Sequence, residues 1–445
     1  MSSSDNRTLT TKEKLRPISG FPELLPEHRI VELEWIDKLR SIFESYGFTS
    51  IEPRSIEPVE VLLKQGDTDK EIYTIGRLLD SIDTNSEPTY ALHYDMTVPM
   101  ARYVAANMNQ ISFPFKRYQI QKAWRGERPQ DGRFREFLQC DIDVVDTRDI
   151  PLHFDSEIPI IMQEAVTAIG AGPLLTKINN RKILEGFYAG IGIKDTSTVI
   201  RIIDKLDKIG PHGVDQMLTK ELSLDTKTVN LVLKLAQIKG SEREVIGKIQ
   251  SLDVTSELLD QGLRELEFVM QELEQFDKNS FSVDLSIARG LAYYTGTVYE
   301  SRFMDFPDFP TICGGGRYDN LVGDFANKKL PGIGISIGLS RIFSKLLKEN
   351  RITANKKSPT EILVIYSKGA PYGLIRDTAR TLRQRGYNVE QYHEDRKLNI
   401  QLKYAADKMI PWIWFPPDRF NGEHQVKNSL TREQEAADPT TWIPT

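Results

Sequence analysis

Several stretches of this chain carry polar residues at spacings suited to a molecule that is anionic at one end and cationic at the other. The densest runs from Phe113 to Val145. Two segments with strand-like alternation flank a short loop of charged residues, Pro and Gly, Gly126 to Gly132, which predicts a hairpin with a polar tip. A strand sends alternate side chains to opposite faces. In the second segment Phe134, Leu138, Cys140, Ile142 and Val144 fall on one face and are expected in a core. Arg133, Arg135, Phe137, Gln139, Asp141 and Asp143 fall on the other, with Arg125 nearby on the first segment. Guanidinium groups, an aromatic ring, an amide and carboxylates on one face suit an amphoteric ligand. The same pattern also describes the wet side of an antiparallel sheet, and the alternation admits both readings.

Other stretches add to this set. Tyr90 to Tyr94 reads as a short strand that delivers Asp95 and Thr97 ahead of a helix, with Pro99 in its first turn. Asp95 can cap that helix or accept from an ammonium group. In the strand-like run Val283 to Glu300, Arg289-Gly290 interrupts the pattern. Tyr293 and Tyr294 then point to opposite faces, so one of them can enter a site. Cys313 to Asp319 is glycine-rich but fits neither GxGxxG nor a P-loop, and reads as a tight turn. Pro331 to Phe343 reads as a buried, glycine-bearing strand entering a helix. Arg341 lies in that helix's first turns, placed to lie over a flat ligand.

The elements that must position these residues follow from periodicity. Pro26 to Ser45 predicts a helix with Val31, Trp35, Leu39 and Ile42 on its apolar stripe. Phe48 to Pro53 is extended, and Pro53 suits a sheet edge or strand end. Pro151 to Ala171 is helical. Residues 178–280 change character to an all-helical insertion, with stripes at Val199, Ile202, Leu206 and Ile209, at Val214, Met217 and Leu218, and at Val229, Val232, Leu233 and Ala236. After a charged linker, residues 358–445 read as β-α-β-α-β, a parallel or mixed sheet. Arg380, Arg383, Arg385, Arg396, Lys397 and Lys403 there form either a nucleic-acid face or an ordinary solvated helix face.

Composition limits the possibilities. At 445 residues the chain has room for two or three domains. Apolar residues make up 40% and charged residues 27%, the balance of a soluble globular protein. A net charge of −5 gives no global attraction to nucleic acid, so such a partner needs local basic patches. Two cysteines, Cys140 and Cys313, are too few for a disulfide framework or a four-Cys zinc site; a reducing, cytoplasmic setting and no structural metal are expected. The polar start MSSSDNRTLTTKEKLRP has no apolar signal core, and no run approaches membrane-helix length.

Taken together, these motifs resemble class II aminoacyl-tRNA synthetases. The extended stretch with Pro53 resembles motif 1. The hairpin, with Arg125-Gly-Glu127-Arg128 and Arg133-Phe-Arg-Glu-Phe137, resembles motif 2, and PGIGISIGLSRIF resembles motif 3. ARGLAYYTGTVYE, CGGGRYDNLV, PISGFPELLPE and YDMTVPMARYVA are similar to segments of the histidyl branch, and the resemblance covers nearly the whole chain. It implies an α+β fold: an antiparallel-sheet catalytic domain in two parts (1–177, with motifs 1 and 2, and 281–350), a helical insertion domain (178–280), and a C-terminal α/β anticodon-binding domain (358–445). It implies activation of L-histidine by ATP, carried with Mg²⁺ as substrate and with no tightly bound cofactor, then transfer to tRNA(His) by a cytoplasmic homodimer.

The resemblance also implies residue roles. Arg125 would contact the α-phosphate and the histidine carboxylate. Glu127 would help position the phosphates and Mg²⁺, and Arg133 would hold the γ-phosphate. Phe137 and Arg341 would sandwich adenine. Asp95, Thr97 and Gln139 would hold the amino end, and Asp143 and Tyr294 would read the imidazole, with Tyr293 alongside. Arg289 would be the catalytic arginine at the α-phosphate. Arg128 and Gln130 would meet the tRNA acceptor end. The chain departs from the family pattern in Ala292 and Ser340, and in the shorter carboxylates Asp95 and Asp143. A non-catalytic, histidine-binding regulatory paralogue of ATP phosphoribosyltransferase is the alternative reading.

Overall fold

The computed structural model describes residues 15–63, 71–77, 89–288, 294–319, 329–366, 369–419 and 422–444. The chain divides into two compact units, Met1–Pro22 with Ile36–Glu349, and Glu23–Trp35 with Asn350–Thr445.

The first unit is built on a sheet of nine strands among the described residues. Its order is Thr49–Ser50, Phe115–Trp124, Glu136–Val145, Gly332–Ile337, Cys313–Tyr318, Tyr294–Phe303, Leu174–Asn180, Phe281–Asp284, Lys239–Gly240. Neighbours from Phe115–Trp124 to Leu174–Asn180 are antiparallel. Thr49–Ser50 joins one edge in parallel, and Pro53 lies just beyond it, as expected of a residue without an N–H. The fold is α+β with an antiparallel centre, as the resemblance implies.

The Pro26–Ser45 helix has the predicted bounds. Its buried positions are Glu32, Trp35, Leu39 and Phe43, so the stripe ends on Phe43 where Ile42 was expected. The helices between Arg181 and Phe276 begin only after the Leu174–Asn180 strand is complete. The stripe read as one helix from Val199 to Ile209 belongs to two, Thr196–Ile203 and Leu206–Leu222, and Gly210 at φ 70° kinks the second. Lys239–Gly240 adds a short strand to the sheet edge, so this region is not wholly helical.

The largest correction concerns Cys313 to Tyr318. This is a central strand, not a tight turn. Glycine carries no hydrophobic period, so nothing in the sequence marks it as a strand. The glycines are needed because backbones approach closely. A Cβ on Gly315 would collide with the carbonyl of Gly334, and one on Gly316 would lie 2.6 Å from Thr297 O. The two residues that follow anchor the sheet. Arg317 Nε donates to both oxygens of buried Asp155, at 3.2 and 3.1 Å, and Nη1 donates to Ile150 O at 2.9 Å. This ties the strand to helix Phe154–Ala168, which packs on Gly332–Ile337.

In the second unit the strand order is Val389–Gln391, Ile362–Val364, Trp412–Phe415, Gln425–Asn428, Gln434–Ala436. The first three are parallel, and the last two extend the sheet antiparallel beyond Pro416-Pro417. Two of its basic residues are structural. Arg383 Nε donates to Val389 O at 2.9 Å, and Arg385 Nη1 donates to Pro439 O at 3.1 Å.

Gly315→Ala should therefore destabilise the first unit by about 3 kcal/mol, since two backbones must part. Gly314→Ala, whose Cβ would lie 3.6 Å from Tyr299 O, should leave thermal unfolding nearly unchanged. Equal melting temperatures for the two variants would refute the close-approach argument.

Candidate active site

The hairpin pairs from Phe115 opposite Val145 to Trp124 opposite Glu136. Its connection, 125–135, is longer than the predicted Gly126–Gly132 loop. Arg133, Phe134 and Arg135 therefore lie in the connection, where strand alternation does not aim them. Instead Gln130 and Arg133 fold it across itself, with Arg133 N donating to Gln130 O at 2.9 Å. Glu127 organises the arginines: one oxygen accepts from Arg133 Nη1 at 2.9 Å, and the other lies 3.8 Å from Arg125 Nη1. Arg125 Nε donates to Tyr94 O at 2.9 Å, and its guanidinium lies 5.2 Å from the centre of the Phe137 ring. Gly20, at φ 85°, clamps the base of the connection by accepting from Arg135 N at 2.8 Å.

One cleft brings together Asp95, Thr97, Arg125, Glu127, Arg133, Phe137, Gln139, Tyr294 and Arg341. They come from the helix start at Thr97, the hairpin, Tyr294–Phe303 and the Leu339–Lys348 helix. Arg341 is fixed by donating to Gly132 O at 2.6 Å and to Thr311 O. Arg289 and Tyr293 lie outside the described residues, as does Ala292. Arg128 and Gln130 are exposed and do not line the cleft. Asp143 does not line it either: it is buried, ion-paired with Arg117 and accepting from Tyr318 Oη at 2.9 Å. Phe134, expected in the core, lines the cleft.

The wet-face reading fails on the strand itself. Gln139, Asp141 and Asp143 are 7%, 2% and 5% exposed, so both faces of Glu136–Val145 are buried beyond Leu138. The lining also includes Glu300, Thr311, Cys313, Gly314, Gly315 and Ser336, which sequence reasoning did not select. The three from Cys313 to Gly315 were lost with the tight-turn reading. Ser336 lay inside a segment singled out for its glycines. Glu300 and Thr311 carried no detectable signal.

Arg125, Arg133 and Arg341 are held at the hairpin connection by Glu127 and Gly132. Asp95 lines the same cleft, and the buried carboxyls of Asp141 and Asp143 lie close enough to interact with it. Burial pushes Asp95 up to about 6, opposed by Val98 N–H and Arg125. Burial raises Asp141 as well, and pushes Asp143 up to about 7 against the attraction of Arg117. Asp95 Oδ1 accepts from Val98 N at 3.2 Å, while its buried Oδ2 has no hydrogen-bond partner among the described residues. A buried carboxylate oxygen left so is costly unless a donor reaches it. Burial also holds the Cys313 thiol far above its ordinary range, so it offers no thiolate nucleophile. No cluster of three metal-ligating side chains occurs among the described residues. Glu127, the carboxylate beside the arginines, suits the outer edge of a phosphate-bound cation.

The family model described as histidyl-tRNA synthetase matches residues 20–342. The chain is 50% identical to the histidine–tRNA ligase of Thermobifida fusca (strain YX) over 426 residues, 96% of this chain and 97% of that one. It is 42% identical to the histidine–tRNA ligase of Micrococcus luteus, covering 96% of both. The crystal structure of histidyl-tRNA synthetase from Nostoc sp. PCC 7120 superposes with a TM-score of 0.81 at 36% identity, covering 95% of this chain and 96% of that one. An ATP phosphoribosyltransferase regulatory subunit/histidyl-tRNA synthetase from Bacillus halodurans C shares the fold, with a TM-score of 0.74 at 19% identity, covering 90% of this chain and 98% of that one. With a family match over most of its length and half its residues shared with a full-length relative, the chain belongs to the histidyl-tRNA synthetase family.

Proposed function

We propose that this chain is a histidine–tRNA ligase that activates L-histidine with ATP and transfers it to the 3′ end of tRNA(His). The observation that carries the reading is the charged lining of the cleft. Three arginines, Arg125, Arg133 and Arg341, line the same cleft as Asp95, a buried carboxylate with an unbonded oxygen. An amino acid beside a polyphosphate fits that set.

In the first step the histidine carboxylate attacks the α-phosphorus in line and pyrophosphate leaves. The substrate is its own nucleophile, so the protein's work is positioning and charge neutralisation. Arg125 reaches the α-phosphate, with Arg289 as the second catalytic guanidinium. Arg133, held by Glu127, meets the γ-phosphate. Mg²⁺ arrives with ATP as substrate and neutralises phosphate charge. Phe137 and Arg341 hold adenine. Asp95, Thr97 and Gln139 take the ammonium end. Tyr294 and, from behind the lining, Asp143 address the imidazole, with Tyr293 alongside. A site built to hydrogen-bond a polar group rejects analogues lacking it by about 10⁴ or more. In the second step a terminal ribose hydroxyl of tRNA attacks the histidyl carbonyl and AMP leaves. Arg128 and Gln130, exposed on the connection, would meet that acceptor end. Residues 358–445 would read the anticodon, the helices after 178 would form the insertion domain, and the working form is a cytoplasmic homodimer. No helix of the described residues is long and apolar enough to cross a membrane.

Purified protein should catalyse exchange of pyrophosphate into ATP with histidine and with no other amino acid. Histidine binding without exchange would instead favour the regulatory paralogue. Arg289→Ala should reduce adenylation by about 10² or more, the usual loss for a group stabilising charge in the transition state. Histidine affinity should fall only modestly. A variant that adenylates at the wild-type rate would remove Arg289 from the mechanism.

A further inference from the structure

Two central strands end their pairing beside the cleft, and one side chain closes the gap. Gly332–Ile337 pairs with Glu136–Val145 as far as Ile337 opposite Cys140. Gly338 then turns the chain into the Leu339–Lys348 helix, and its own N–H donates to Ile312 O at 2.8 Å. In an antiparallel ladder successive residues bond to opposite sides. Leu138, two along from Cys140, therefore directs its N–H to the side where the partner strand has just ended. Ser340 meets it there, its Oγ accepting from Leu138 N at 2.8 Å. Without that acceptor a half-buried amide would be left unpaired.

The neighbours of these two residues give the bond its meaning. Leu138 follows Phe137, and Ser340 precedes Arg341; both neighbours line the cleft. Arg341 is held from its other end by Gly132 O and Thr311 O. The Ser340 hydroxyl thus bonds the helix to the strand one residue away from each of the two groups that would hold a flat base. We infer that Ser340 is a positioning residue for ATP, setting the separation of Phe137 and Arg341. The inference rests on the nucleotide reading of the cleft. Ser340 touches no substrate and acts through its neighbours.

The test compares Ser340→Ala, which removes the acceptor, with Ser340→Thr, which keeps it, in the full-length protein. Pyrophosphate exchange gives the KM for ATP and for histidine separately, and amide hydrogen exchange reads Leu138 directly. Ser340→Ala should raise the ATP KM about fivefold or more while histidine KM stays within about twofold. The Leu138 amide should lose protection, and Ser340→Thr should restore both. An unchanged ATP KM in Ser340→Ala would overturn the inference and leave the ligase reading intact. So would an equal rise in both KM values, which marks general loosening. A wild-type protein without histidine-dependent exchange would strike at the ligase reading instead. ATP affinity by calorimetry would then decide Ser340 alone, with equal affinity in wild type and Ser340→Ala overturning it.

Discussion

Two buried carboxyl groups, Asp141 and Asp143, face one fully buried guanidinium, Arg117, and a third, Asp95 on the cleft wall, lies close enough to interact with both carboxyls; the site depends on that crowding of charge. Arg117 is inaccessible to solvent. It pairs with Asp143, while Asp141 and Asp95 lie close enough to raise its partner further. Burial raises all three carboxyls against the attraction of the nearby guanidinium groups. Arg125 supplies a further positive charge from the cleft side. A ligand with a cationic end completes the set. In the proposed reading that cationic end is the ammonium of an amino acid.

The sheet makes such crowding possible by bringing backbones unusually close. Glycines at 315, 316 and 334 leave no side chains between neighbouring strands. A Cβ on Gly334 would collide with Asp143 itself, so the carboxylate occupies space that a larger residue would take. Arg317 and Tyr318, which follow the glycines, belong to the same construction: one ties the strand to helix Phe154–Ala168, the other donates to Asp143. The glycine-rich segment is thus scaffold and cleft wall together.

Much of this was legible in the residues. Alternation along the hairpin's second strand placed Phe137 and Gln139 on one face, and the glycine-bearing strand leading into a helix placed Arg341. The reading faltered where side-chain period no longer governs direction. Arg133 and Phe134 reach the cleft from a connection held by backbone bonds, which no period describes. Arg117 sits beside Lys116 and looks like solvated charge; only pairing with Asp143, 26 positions along, shows that it is interior. Asp143 lies on the expected face but behind the lining, because Tyr318 and Arg117 occupy it. Glu300 comes from a strand whose neighbours are set by long-range pairing, and Thr311 from the segment just before the Cys313–Tyr318 strand.

The most direct test of this crowding of charge is the proton count on histidine binding. Burial holds Asp95 at about 6, so near pH 6 a sizeable fraction is protonated in the free protein. An arriving ammonium group favours the ionised form and lowers that value, so binding expels protons, and affinity rises with pH between about 5 and 7. The imidazole of histidine titrates in the same range. Comparison with Asp95→Asn removes that contribution, since the ligand is the same. Calorimetry at pH 6 in buffers of different ionisation enthalpy should show more protons released by wild type than by Asp95→Asn, with weaker binding in the variant. Equal proton release and equal affinity in the two proteins would contradict the account.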